Sequence, residues 1–188
     1  MQIYKMKTIK ILTLPIIMST AALLAVPVSY AASATSTIPV NVRVAQVCAI
    51  ATTSGLSFAS YDPVVINASA ALNATGAISI TCSKGSAGVT VALGYGLNPS
   101  GTTQRQMVGS TASNLIQYNV FQPPSSIAGT SCTFPGVLPW GTSGVGMLTV
   151  TTAPDNAPRL YSICGTIPGA QNVTADAYTD TIVATITF

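Results

Sequence analysis

The sequence predicts an all-β fold, an antiparallel sandwich, on three observations. Short runs rich in Val, Ile, Thr, Tyr and Phe recur along the chain, and clusters of Gly, Pro, Asn, Asp and Ser separate them. Nowhere do apolar residues repeat at helical spacing over three turns with charged residues opposite. Strands this short each bury one face, and two facing antiparallel sheets supply the cover. The same strand spacing is also compatible with a β-barrel.

The first segment reads as a targeting signal. Lys5, Lys7 and Lys10 lie within the first ten residues, residues 11–28 form an uncharged apolar run, and Ser29-Tyr30-Ala31 supplies the small-x-small pattern of a signal peptidase site. A membrane anchor competes, since 18 residues touch the lower limit for spanning a bilayer. Pro15, Pro27, Ser19 and Thr20 favour a cleaved signal over residues 1–31, an exported product, and a mature start near Ala32.

Next comes STIPVNVRVAQVC (36–48), in which Ile38, Val40, Val42 and Val44 share one parity before the first cysteine. This is a strand with one apolar face, placed before any turn could fold it onto a partner. Pro39 lacks an N–H and is tolerable at such a strand's beginning. Residues 32–47 are therefore read as an extension and residues 48–188 as one domain of ordinary size. Within that domain the expected strands include AISITC (77–82), VTVALGY (89–95), LIQYNVF (115–121), MLTVTT (147–152) and DTIVATITF (180–188). In the last, Ile182, Ala184, Ile186 and Phe188 alternate with Thr181, Val183, Thr185 and Thr187.

Charge and chemistry-bearing residues exclude several function classes. Beyond the signal, Arg43, Lys84, Arg105 and Arg159 balance Asp62, Asp155, Asp176 and Asp180, so the formal +3 is no argument for a nucleic-acid partner. With no His, no Glu and no GxSxG elbow, the chain lacks the usual bases and nucleophile settings and reads as a non-enzyme without cofactor or metal. Asp176 is expected in a loop and Asp180 at the start of the last strand. Arg105 is expected to be satisfied by loop carbonyls, Trp140 to pack under the Pro-rich stretch 121–140, and Tyr118 and Tyr178 to be strand aromatics. Four cysteines in an exported chain argue for two disulfides, and three pairings are possible. The sequential one, Cys48 with Cys82 and Cys132 with Cys164, is the simplest.

In order along the chain, the alternating segment ending at Cys48, LSFASYDP (56–63), GAISITC (76–82), Arg105 and Met107 before LIQYNVF, Trp140-Gly141, GTIPGAQ (165–171) and the terminal AYTDTIVATITF resemble the spore coat protein U domain family. That family includes pilin subunits of archaic, Csu-type chaperone-usher pili. Cys132, Cys164 and the long insert 121–140 look like additions to the common pattern.

The resemblance implies an incomplete immunoglobulin-like sandwich with an N-terminal donor strand. Ile38, Val40, Val42 and Val44 would be donor residues, and Ile182, Ala184, Ile186 and Phe188 would line the acceptor groove and meet the chaperone. The implied partners are a periplasmic chaperone, an outer-membrane usher and neighbouring pilus subunits, in a cell-surface fibre that serves attachment and biofilm formation. The alternative is a self-contained secreted or coat protein whose N-terminal strand pairs within its own sandwich.

Overall fold

A computed structural model of the chain describes residues 30–188, so almost all of the expected signal segment lies outside the described residues. The chain divides into two compact units, residues 1–41 and 42–188. In the described part of the first unit, residues 30–41 form no strand and are exposed. Among the described residues the strands all lie in the second unit: β1 (Cys48–Ser54), β2 (Leu72–Cys82), β3 (Thr90–Leu93), β4 (Arg105–Val108), β5 (Leu115–Phe121), β6 (Leu148–Thr149), β7 (Arg159–Ile167) and β8 (Ala184–Thr187).

These strands form two antiparallel sheets, one of five strands in the order β1-β2-β7-β5-β4 and one of three in the order β6-β3-β8. The period-2 alternation of β2 explains the packing, because Ala74, Gly76, Ile78, Ile80 and Cys82 point inward and are buried while the residues between them are not. Ile116, Tyr118 and Val120 of β5 and Tyr161, Ile163 and Ile167 of β7 extend the same apolar layer. Val91 and Leu93 of β3 and Leu148 of β6 supply the second sheet's share of the core.

Two residues tie the sheets together through polar groups. Trp140, at the end of the Pro-rich stretch, is fully buried in the core and donates Nε1–H to the Val91 carbonyl at 2.9 Å. Arg105 is buried as well, donating Nε–H to the Gly94 carbonyl at 2.9 Å and Nη2–H to the carbonyls of Leu93 at 2.9 Å and Trp140 at 2.6 Å. Its guanidinium stacks on Tyr95, 5.1 Å from the ring centroid. Burial pushes its pKa down, against the opposing influence of Tyr118, Tyr95 and Asp180. A guanidinium stays protonated even so, and three carbonyls satisfy it without a buried carboxylate.

The insert 121–140 completes an edge. β5 pairs with β7 only where Asn119, Val120 and Phe121 face Thr166, Gly165 and Cys164, which leaves the first half of that side of β7 without a strand partner. There Gly129 donates its N–H to the Leu160 carbonyl at 2.8 Å, and Ser162 Oγ–H bonds the Thr130 carbonyl at 2.8 Å. The Cys132–Cys164 disulfide fastens the insert to the strand, while Cys48–Cys82 joins directly opposed residues of β1 and β2. With sequence separations of 32 and 34, each bridge contributes roughly 3.5 to 4 kcal/mol on the loop-entropy account.

Several strands differ from expectation. LIQYNVF coincides with β5, but VTVALGY and MLTVTT shorten to four and two residues, and DTIVATITF to Ala184–Thr187. Tyr178 is not a strand aromatic, because the chain around it is irregular until an isolated bridge at Thr179. Residues 36–47 form no strand, and a ladder needs a partner strand that this segment does not have among the described residues. Replacing Trp140 by Ala should lower unfolding stability by about 3 to 5 kcal/mol through the cavity it leaves. Urea denaturation followed by far-UV circular dichroism measures this, and a loss below about 1 kcal/mol would contradict the packing described.

Candidate strand-docking site

β8 is the last strand of the three-stranded sheet and has one neighbour, β3, with Ala184, Thr185, Ile186 and Thr187 opposite Leu93, Ala92, Val91 and Thr90. Its other edge carries backbone N–H and C=O groups with no ladder partner. β1 is likewise the outermost strand of the five-stranded sheet. The two edges face each other without hydrogen-bonded pairing, so the sandwich is open along one side.

Apolar surface lines this opening. A cleft of about 380 Å³ has Thr52 and Ser54 of β1 on one wall and Asp180, Ile182 and Ala184 on the other, with the core residues Ile78, Leu93 and Ile163 at its base. A second cleft, of about 460 Å³, shares Leu56, Phe58, Met107 and Tyr178 with the first and continues to Tyr61, Ile116, Ile167 and Val173. Together they make a groove whose base is the hydrophobic core. A closed sandwich would hide that surface, and soluble domains seldom leave so much contiguous apolar area exposed.

Local chemistry shapes the walls. Leu56 and Phe58 cross β7 at Gly165, where an added Cβ would come within 2.8 Å of both side chains, so only glycine lets this segment lie so close. On the opposite wall the chain passes from the β4 edge, where Thr179 bridges Val108, to the β3 edge at Ala184. Asp180 anchors the crossing: Oδ1 accepts N–H bonds from Leu97 and Thr181 at 2.8 Å, and Oδ2 accepts the Tyr118 hydroxyl at 2.5 Å. Gly96, at φ +82°, leaves room for that carboxylate. Burial, reinforced by Asp180, raises the Tyr118 pKa far above its ordinary value and keeps the hydroxyl a donor. Asp176 lies in a loop and accepts from the Ser110 N–H and hydroxyl at 2.7 Å and from Asn114 Nδ2–H at 2.9 Å.

The residues singled out in the sequence fall as follows. Ile182, Ala184 and Ile186 are half-buried on the inner parity and pack against the core, while Thr181, Val183, Thr185 and Thr187 are exposed. Phe188 shares their parity but is 53 % exposed, because the strand ends at Thr187 and the core does not reach it. Ile38, Val40, Val42 and Val44 are 81 to 91 % exposed. Leu56, Phe58, Met107 and Tyr178 line both clefts, and no periodic signal marks them because the first two lie in irregular chain.

An open-sided antiparallel sandwich is thus the class of fold, and the family follows from comparison with known proteins. The Spore Coat Protein U domain matches residues 34–185, and the chain belongs to that family. Protein U of Myxococcus xanthus is 32% identical over 156 residues, covering 77% of this chain and 79% of that protein. Among solved structures, similarity extends to the CsuC-CsuE chaperone-tip adhesion subunit pre-assembly complex from archaic chaperone-usher Csu pili of Acinetobacter baumannii. It has 19% identity and a TM-score of 0.44, over 77% of this chain and 40% of that one.

The three bonds from Ser110 and Asn114 and a fourth from the Ala177 N–H at 2.8 Å hold the Asp176 carboxyl well below the ordinary 3.8, Asn114 contributing most. A lowered folded-state pKa means that the contact to the 110–114 turn persists at neutral and mildly acid pH and is lost only as pH falls through that lowered value. The amide resonances of Ser110 and Ala177 should therefore stay unchanged down to pH 3.8; a titration midpoint at or above 3.8 would refute the arrangement.

Proposed function

We propose that this protein is a structural subunit of a cell-surface fibre built by the chaperone-usher route through donor-strand exchange. One observation carries the reading: the same chain holds an open groove beside an unpaired β8 edge and, in residues 38–44, an exposed alternating apolar segment of the kind that would fill it. In the fibre, residues 36–47 of one subunit pair with β8 of the next, with Ile38, Val40, Val42 and Val44 in the groove and Arg43 outward. Strand addition at an exposed edge gives affinity through backbone hydrogen bonds and register through alternate side chains.

Magnitudes favour such a joint. Full burial of the four donor side chains is worth roughly 1.5 to 3 kcal/mol each, on the order of 6 to 12 together before ordering costs. A subunit with an open groove is correspondingly aggregation-prone, so a periplasmic chaperone supplies a temporary strand before an outer-membrane usher exchanges it for a donor segment. The product is extracellular and serves attachment and biofilm formation. The role is assembly rather than catalysis.

Deleting residues 36–47 should leave a soluble complex with the chaperone but abolish polymers, seen as loss of the high-mass ladder on unheated gels. Val42→Asp should reduce polymer yield by at least tenfold without affecting chaperone binding. If the deleted chain unfolds even with chaperone, or the intact chain is a stable monomer by itself, the segment completes its own sandwich and the protein is a self-contained secreted one.

A further inference from the structure

The unit spanning 42–188 has two unlike ends, set by β2. At one end Leu72 faces Ile167, and at the other Cys82 faces Cys48. The Leu72 end carries a framed turn at residues 62–67. Asp62 Oδ1 accepts the N–H groups of Val64 at 2.9 Å and Val65 at 3.0 Å, and the buried Asn67 accepts the Asp62 N–H at 2.9 Å while donating to the Ala70 carbonyl at 3.0 Å. This frame holds three consecutive apolar side chains outward, Val64, Val65 and Ile66, exposed by 80, 73 and 67 %. Asp62 and Asp176 are the charges at this end, both with lowered carboxyl pKa, and no cation accompanies them among the described residues.

The Cys82 end is basic. Lys84 is exposed there, and Arg159, which opens β7, is buried with Nε and Nη2 lacking any hydrogen-bond partner among the described residues. Asp155 is the one carboxylate at this end, turned back to the Ala157 N–H at 2.8 Å. Val47 is 60 % exposed beside it. In a chain with so few charges, this separation makes the two ends complementary.

Donor-strand geometry decides whether those ends meet, and the argument here rests on that reading. A donor running parallel to β8 would bring its own domain to the acceptor's Thr187, which faces Thr90 at the end from which the acceptor's extension departs. A donor running antiparallel brings it to the Ile182 side, away from that extension, and lets each subunit donate in turn. The spacer after Val44 is short. Three residues, Ala45, Gln46 and Val47, reach roughly 10 Å when extended. They are also bound to their own domain, Val47 N–H to Ser83 Oγ at 3.1 Å, Ser83 Oγ–H to the Ala45 carbonyl at 3.4 Å and Gln46 Nε2–H to the Ala87 carbonyl at 3.3 Å.

We propose that the Val64–Ile66 tip of each acceptor docks on the Lys84 end of the copy that donates its strand, with Val64, Val65 and Ile66 covering Val47 and the Asp62 and Asp176 carboxylates facing Lys84. This second contact fixes the angle between successive subunits, so the fibre is held at two places per joint rather than by the donor strand alone.

The test uses fibres from cells expressing the full chain with its chaperone and usher, with the photoreactive residue benzoylphenylalanine placed at position 65. Irradiation should give adducts between neighbouring subunits that survive heating, mapped by mass spectrometry to residues 45–47 and 83–88, and Lys84→Glu should cut their yield at least threefold while the unheated polymer ladder persists. A normal ladder with no adducts, with adducts elsewhere, or with a yield indifferent to Lys84→Glu overturns the contact and leaves donor-strand exchange standing. Absence of any ladder from the unsubstituted chain refutes donor-strand exchange and this contact with it.

Discussion

The constraint on which the rest of this structure depends is the unpaired edge of β8. Backbone N–H and C=O groups need partners, and a sheet edge beside an open core offers water on one side and apolar surface on the other. β3 satisfies one side of β8, and no strand of the domain reaches the other. The clefts beneath that edge and the half-buried state of Ile182, Ala184 and Ile186 are consequences of the same missing ladder.

The remainder of the domain stiffens what surrounds the opening. Arg105 and Trp140 hold the β3 side through carbonyl bonds, and Asp180 pins the chain where it crosses between sheets. On the other side, the Cys48–Cys82 bridge fixes the first residue of β1 to β2, and hydrogen bonds linking Ser83 with Ala45 and Val47 hold the residues just before it. The insert closes the free stretch of β7 and shows the contrasting solution, an edge covered by the chain's own loop and locked with a disulfide.

Legibility in the sequence followed the strength of local patterning. Ile38, Val40, Val42 and Val44, and Ile182, Ala184 and Ile186, stand out because alternation at period two needs no knowledge of the partner. β7 was harder to see: its inward positions include Arg159, Tyr161 and Gly165, a set that breaks the apolar alternation although all are buried. The groove-lining residues Leu56 and Phe58 lie in irregular chain, where position comes from contact with Gly165 rather than from periodicity. The hydrogen bond of the Trp140 indole N–H to the Val91 carbonyl is a long-range contact that no local pattern marks.

By itself, the sequence determined the all-β class, the near-neutral charge beyond the first ten residues, the apolar face of residues 38–44 and that of the last strand, since each is written in residue type and spacing. Only the tertiary structure decided which strand edge stays open, that two clefts join beneath it, that Phe188 lies outside the core, and that Asp62 and Asp176 come to one end while Lys84 and Arg159 come to the other. Those properties depend on long-range strand order, and neither composition nor local alternation carries information about which edges are left without neighbours.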